Sequence, residues 1–313
     1  MGRPYKILML CSATCNILYG ITQFISKPTV LIHGVSYMAY SDGFIRKLKP
    51  WAFLSLCLFI GMYGMNTALL AVHFIYRYLV LCRGNRLNCL TSTAAAALWA
   101  TAVLMWGVAY FLITFYCFCA TDAFYEYAEE AVFDEIGKNI RKLSFFCVFS
   151  YQSNGSTTII YWPATIGISV IIAMMVFTFG IMVYCGIAVV ICIQKCSMSA
   201  KTRSLQSQLV RALIVQGTAP FLIAYLPRLL MFYYVLMGYP PQRFYTYVPM
   251  LVTMYSYIDP IANIVLIRDY RSAAFRTLTL CCESRLRKIA PSLFKGSSQL
   301  RIAEFASHPG QKY

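Results

Sequence analysis

The chain has 313 residues, 59% of them hydrophobic and only 12% charged. A water-soluble domain carries about 25% charged residues, and disorder needs low hydrophobicity. This composition excludes both and points to a polytopic membrane protein. Lys and Arg number 27 against 11 Asp and Glu, a net charge of +16. In a chain this apolar the excess reads as basic cytoplasmic loops, and no nucleic-acid partner is expected.

A helix needs about 20 apolar residues to cross the hydrocarbon core. Six stretches meet that length, predicting an all-α helix bundle: Ile7–Ile25, Trp51–Phe74, Thr93–Cys117, Ala164–Ile193, Leu209–Met237 and Tyr245–Ile267. The first carries Ser12, Thr14, Asn16, Thr22 and Gln23, so its polar face must meet other helices. Between the third and fourth stretches runs a long, acidic and aromatic loop, Ala120–Tyr161.

Six spans place both termini on one side. With the ends and the Arg77–Ser92 and Lys195–Arg211 turns in the cytoplasm, most basic residues fall inside. Asp42 and the acids of 122–135 fall outside, as does the one glycosylation sequon, Asn154-Gly155-Ser156. Arg46, Lys47 and Lys49 run against the bias.

Most of the 13 cysteines lie in spans or on the inner side, where thiols stay reduced. Cys117, Cys119 and Cys147 are the candidates for an outer disulfide. Beyond the last span, Tyr270, Ala274, Leu278 and Cys282 recur every four residues, which predicts an amphipathic membrane-surface helix near 269–282. Cys281 and Cys282 at its end are palmitoylation candidates. Residues 1–283 thus form the membrane part, and 284–313 a basic, mobile inner tail.

The sequence carries no enzyme constellation. No Cys or His spacing reads as a metal site, and no cofactor is expected. Ionisable residues inside spans are costly and often functional. His73 and Arg77 share a face at the end of the second stretch, and Asp259-Pro260 sits in the last. Arg228, after Pro220 and Pro227, lies roughly 15 Å below the outer end of the fifth stretch. It either snorkels to headgroups or contacts a ligand in a pocket. The outer halves around it are rich in aromatics, Tyr225, Tyr233, Tyr234, Tyr245, Tyr247 and Tyr255, as either an interfacial belt or pocket walls.

Three sequence blocks carry a resemblance. His73-Phe74-Ile75-Tyr76-Arg77-Tyr78-Leu79 closes one span. Leu209-Val210-Arg211-Ala212-Leu213-Ile214-Val215-Gln216 opens a proline-containing one. Ile258-Asp259-Pro260 sits in the last, followed by Ile267-Arg268-Asp269-Tyr270-Arg271. The pattern resembles the nematode seven-span chemoreceptors of the serpentine Str group. The resemblance implies a G-protein-coupled receptor for a small odorant-like ligand, in the plasma membrane of a sensory-neuron cilium. Its C-terminus would be cytoplasmic and its partner a heterotrimeric G protein. It implies that Arg77, flanked by Tyr76 and Tyr78, is the switch arginine at the inner end of a helix. Asp259-Pro260 would be the last-helix proline motif, and Arg211 part of the coupling surface. Ligand would meet Arg228, Tyr225, Tyr233 and Tyr255.

Seven spans are expected of that group and six are visible. Gly2-Arg3-Pro4-Tyr5-Lys6 stands where the group leads into its second span, so the first span is expected to be missing. Arg228 replaces an expected aliphatic residue. A transporter or channel is the alternative reading, as is a truncated receptor product that does not signal.

Overall fold

The computed structural model describes residues 3–82, 92–154 and 157–195, and after them 210, 214–215, 218, 221–237, 261, 264–265, 271–277 and 279. Residues to 262 form one compact unit and those from 263 a second. Among the described residues of the first, four helices are long and apolar enough to cross a membrane. They are α1 (Arg3–Ser26), α2 (Lys49–Cys82), α3 (Thr93–Cys117) and α5 (Trp162–Lys195). Each overlaps one of the first four predicted stretches. Of the fifth, helix α6 (Leu226–Met237) is described, and the sixth lies almost wholly outside the described residues.

Helix α2 is the centre of the bundle. It packs on α1, α3 and α5, and from Gly61 to Arg77 nearly every residue is buried. A helix buried all round is expected to be apolar all round, and this one is so apart from Asn66, Thr67, His73 and Arg77. Its crossing with α3 is close because Gly61 and Gly107 face each other. A Cβ on Gly107 would lie 3.0 Å from the Gly61 carbonyl oxygen, the small-residue approach that packs membrane helices without a hydrophobic driving force. Helix α3 meets the core along one stripe, Val103, Gly107, Tyr110 and Thr114, and exposes Leu104, Met105 and Leu112 on its other faces.

The predicted second span stops at Phe74, but α2 continues to Cys82. Its 34 residues reach about 51 Å, well beyond a hydrocarbon core of about 30 Å. His73, Tyr76 and Arg77 are therefore buried helix residues and do not open a turn. At this end Cys82 donates its thiol hydrogen to the Ala188 carbonyl at 3.6 Å, and Cys192 donates to the Leu81 carbonyl at 3.3 Å, tying α2 to α5.

The fold is not all-α. Strands β1 (Pro28–His33), β2 (Ser36–Ser41) and β3 (Phe145–Phe149) form an antiparallel sheet in that order. The register pairs Val30 with Ala39, Leu31 with Met38 and Ile32 with Tyr37, then Tyr37 with Val148 and Met38 with Cys147. Because side chains alternate across a strand, this register sorts two faces. Val30, Ile32, Tyr37, Ala39, Phe146 and Val148 pack into the helix bundle. Leu31, Met38, Tyr40, Phe145, Cys147 and Phe149 pack under helix α4 (Asp122–Ile136). The long acidic loop of the sequence is thus a folded cap of one helix and three strands. The third is β5 (Thr157–Ile160), paired with β4 (Tyr151–Asn154) in a separate hairpin that carries the sequon residue Asn154.

Helix α4 has clear local causes. Thr121 caps it, its Oγ1 accepting from the Phe124 amide at 3.3 Å, and Asp122 complements the positive helix end. Phe124, Ala128 and Val132 recur every four residues as its buried stripe. Gly137, at φ 67°, ends it in the left-handed conformation.

Candidate functional site

The sheet closes one end of the bundle over a cavity of about 90 Å³. That is room for several waters or a ligand of a few heavy atoms. Its roof is the inward face of the sheet, with Tyr37, Phe146 and Val148. Its walls are Tyr63 of α2, Tyr110 of α3, Met175 of α5, and Arg228 and Met231 of α6.

Among the described residues Arg228 is the one charged residue of the lining. Its guanidinium carbon lies 3.9 Å from the centroid of the Tyr63 ring. The phenols of Tyr63, Tyr19 and Tyr37 are its electrostatic neighbours, and the Tyr63 hydroxyl lies within reach of the guanidinium. The buried hydroxyls of Tyr19, Tyr63 and Tyr110 have no hydrogen-bond partner of normal geometry among the described residues. The aromatic groups are held by one another: Tyr63 sits 6.2 Å from both Tyr110 and Tyr225, and Tyr19 stacks on Phe59 at 5.0 Å. No ion pair joins Arg228 to any acid among the described residues.

The backbone before Arg228 is unusual. Residues Phe221–Tyr225 form a π-helical turn. Pro227 has no amide hydrogen to give the carbonyl four residues back, which frees the helix to widen there. The turn sets Phe221 on Phe179 at 4.2 Å and buries Tyr225 beneath Tyr63.

A cluster of ion pairs pins the cap at one end of the sheet. Asp42, just past β2, meets Arg46 at 3.0 Å, Lys27 at 3.4 Å and Lys138 at 3.6 Å. Lys138 follows α4, so this carboxylate joins the cap helix to the strands. Burial pushes the Asp42 pKa up, but Arg46, Lys138 and Lys27 outweigh it and hold the carboxyl below its ordinary value. At the other end of the hairpin, the Val35 amide donates to the Tyr127 hydroxyl at 3.4 Å, and that hydroxyl donates to the His33 carbonyl at 3.5 Å.

With this geometry in hand, comparison with known proteins is informative. The family of serpentine type 7TM GPCR chemoreceptors, Str, matches residues 1–275. The chain belongs to that family. It is 28% identical to serpentine receptor class r-10 of Caenorhabditis elegans over 285 residues, covering 88% of this chain and 81% of that receptor. It is 23% identical to G-protein coupled receptor str-33 of the same nematode, covering 86% and 79%. Serpentine receptor class J-38, also from that nematode, is 25% identical over 299 residues, covering 91% and 87%. The family is one of multi-pass membrane receptors and not of enzymes.

In this Str-family chain the sequence-predicted residues fall in several places. Arg228 lines the cavity and does not extend away from it. Tyr225 is fully buried one layer behind Tyr63 and outside the lining. Tyr233 is 54% exposed and packs edge-on against Tyr234, away from the cavity. Tyr255, Asp259, Pro260, Arg211, Cys281 and Cys282 lie outside the described residues. Tyr76 and Arg77 are buried, and Tyr78 packs 6.0 Å from Tyr184 of α5 beside Val189 and Val210. Residues 271–277 are helical within the second unit, inside the predicted surface helix. Cys117, Cys119 and Cys147 carry free thiols, so no outer disulfide joins them; the Cys147 thiol instead donates to the Cys119 carbonyl at 3.8 Å.

Tyr37, Tyr63 and Tyr110 are among the lining residues that sequence reasoning missed. Two of them carried a usable signal: a phenol well inside an apolar span needs a polar reason to be there.

Proposed function

We propose that this protein is a chemosensory G-protein-coupled receptor that takes a small ligand into the cavity beneath the sheet. The observation that carries this reading is the guanidinium of Arg228 at a chamber whose other described lining residues are mostly aromatic and aliphatic, in a chain of this family. Such a chamber excludes most water and gives one polar group command of orientation. The sheet end then faces outward with Asn154, and the opposite end of α2, with Arg77, faces the cytoplasm together with the C-terminus. The membrane is that of a sensory-neuron cilium.

Helix α2 connects the two ends. Tyr63 touches the chamber, and Arg77 lies fourteen residues further along, about 21 Å away. The π-turn and Pro227 give α6 a loosened segment at the chamber floor. Ligand binding there favours one arrangement of α6 against α2 and α5, and can do so only by binding that arrangement better. The arrangement is read at the cytoplasmic end by a heterotrimeric G protein, through Arg77, Tyr76, Tyr78 and Arg211, with Asp259-Pro260 as the hinge of the last span. Cys281 and Cys282 anchor the surface helix when palmitoylated.

The test is guanine-nucleotide exchange on a heterotrimer reconstituted with the full chain in vesicles. Exchange above that of empty vesicles is expected, and Arg77→Ala should lower it at equal receptor content. Exchange that matches empty vesicles removes the coupling role; exchange indifferent to Arg77→Ala removes Arg77 from it.

A further inference from the structure

We infer that the ligand of this chamber is a small organic anion, a carboxylate, with Arg228 as its counter-charge. The inference rests on the receptor reading above for the chamber being a ligand site, and deepens it by naming the ligand class.

A guanidinium taken out of water is costly unless it is paired. Among the described residues Arg228 faces phenol rings and not a carboxylate. The acids among the described residues are Asp42 and those of 122–135, and none is within ion-pair distance of it. The helix that carries most of them packs on the opposite face of the sheet from the chamber. The guanidinium lies over the Tyr63 ring, its carbon 3.9 Å from the centroid. Its N–H donors lie in the guanidinium plane, in the fork that matches two carboxylate oxygens. The hydroxyl of Tyr110, lacking a partner of normal geometry among the described residues, is a further donor at the chamber wall, while that of Tyr63 lies against Arg228. Donors therefore converge there without a matching anionic acceptor from the described protein. Apart from Gln23, Thr114 and the Tyr37 hydroxyl the remaining lining is apolar, which suits a short hydrocarbon tail.

A second observation lies at the rim. Lys27, Arg46 and Lys138 converge on the single carboxylate of Asp42, leaving positive charge in excess at the end of the sheet where Pro28, itself a lining residue, begins β1. A basic rim beside a low-dielectric chamber concentrates anions near it. It also gives a role to Arg46, one of the basic residues that the orientation rule leaves on the outside.

The experiment is thermal unfolding of the detergent-solubilised full chain with four probes: butanoate, its neutral isostere 1-nitropropane, dodecanoate, and chloride at matched ionic strength. Stabilisation by butanoate but not by chloride or 1-nitropropane is expected, because ligand that binds only the folded state raises the transition. Arg228→Gln should weaken apparent butanoate affinity about tenfold or more, and Arg228→Lys should retain part of it. If Gln at 228 does not fold, the Lys variant carries the comparison. Stabilisation by dodecanoate alone supports the same chemistry with the carboxylate arriving from the lipid leaflet. Equal stabilisation by 1-nitropropane and butanoate, unchanged in Arg228→Gln, overturns the anion and leaves the receptor reading intact. No stabilisation by either carboxylate overturns the inference too. Carboxylate binding without nucleotide exchange would instead overturn the receptor reading and keep the site.

Discussion

The guanidinium carbon of Arg228 and the ring centre of Tyr63 are 3.9 Å apart, which joins α6 to α2 through a charge on a ring face. A desolvated cation–π contact of this kind contributes up to about 2 kcal/mol. Tyr63→Phe keeps the ring and discards a buried hydroxyl without a regular partner, so the unfolding temperature of the solubilised chain should hardly move. Tyr63→Leu removes the ring and should lower it clearly. Equal melting of the two variants would show that the contact contributes nothing to the join.

The turn between β1 and β2 is specified at Gly34. Its φ of 52° is left-handed, and an added Cβ would collide with the Tyr127 hydroxyl. Gly34→Ala should therefore cost about 1–2 kcal/mol from backbone strain alone, and more from the collision. The expected readout is faster proteolytic cleavage within the cap on intact cells. Tyr127→Phe alone loses only the two long hydrogen bonds and should be mild. In the double variant part of the collision is relieved, so the two effects should fall short of additivity.

The spans were legible because their signal is length and apolarity, and α3 runs over Thr93–Cys117 as the sequence predicts. The sheet was not. Strands covered on both faces lose the polar alternation that marks a half-exposed strand, and β3 is buried at all five positions. Thr29–His33 and Ser36–Tyr40 looked like connecting sequence between two spans. Helix α4 could have been read from its Phe124, Ala128, Val132 spacing, which the acidic composition masked. Arg228 was legible as a costly charge at depth. Its partners were not, since residue type alone does not separate Tyr63 and Tyr110, which face the cavity, from Tyr233, which faces out. That sorting needs the helix register. The far end of α2 was misjudged for a related reason: Arg77 looks like the start of a turn until the helices that bury it are in place.

The Asp42 cluster makes cap stability depend on acid pH. The carboxyl is held below its ordinary value in the folded state, so its contribution is present above the unfolded value near pH 3.9. It is lost as pH falls through the lower folded value. Asp42 is partly solvent-exposed, so screening keeps the contribution small. Proteolysis of the cap should accelerate below about pH 4 in the native chain. In Asp42→Asn it should already be faster at neutral pH, with this acid-dependent step gone. A step that persists in Asp42→Asn would assign it to other carboxyls.

Cys119 and Cys147 are close in space and opposite in access. Cys119 is exposed, while Cys147 is 3% exposed between the sheet and α4. Burial pushes both thiols up, Cys147 further than Cys119, and a raised thiol holds little reactive thiolate. A brief pulse of a membrane-impermeant maleimide on intact cells, read by peptide mass spectrometry, should modify Cys119 and spare Cys147 until the chain is denatured. Because the reagent reaches only the outer surface, the same pulse tests sidedness. Modification of Cys119 only after permeabilisation would put the sheet end in the cytoplasm and reverse the orientation argued above. Equal modification of both residues would mean that α4 does not stay closed on the sheet, and the chamber beneath it would then be open to water.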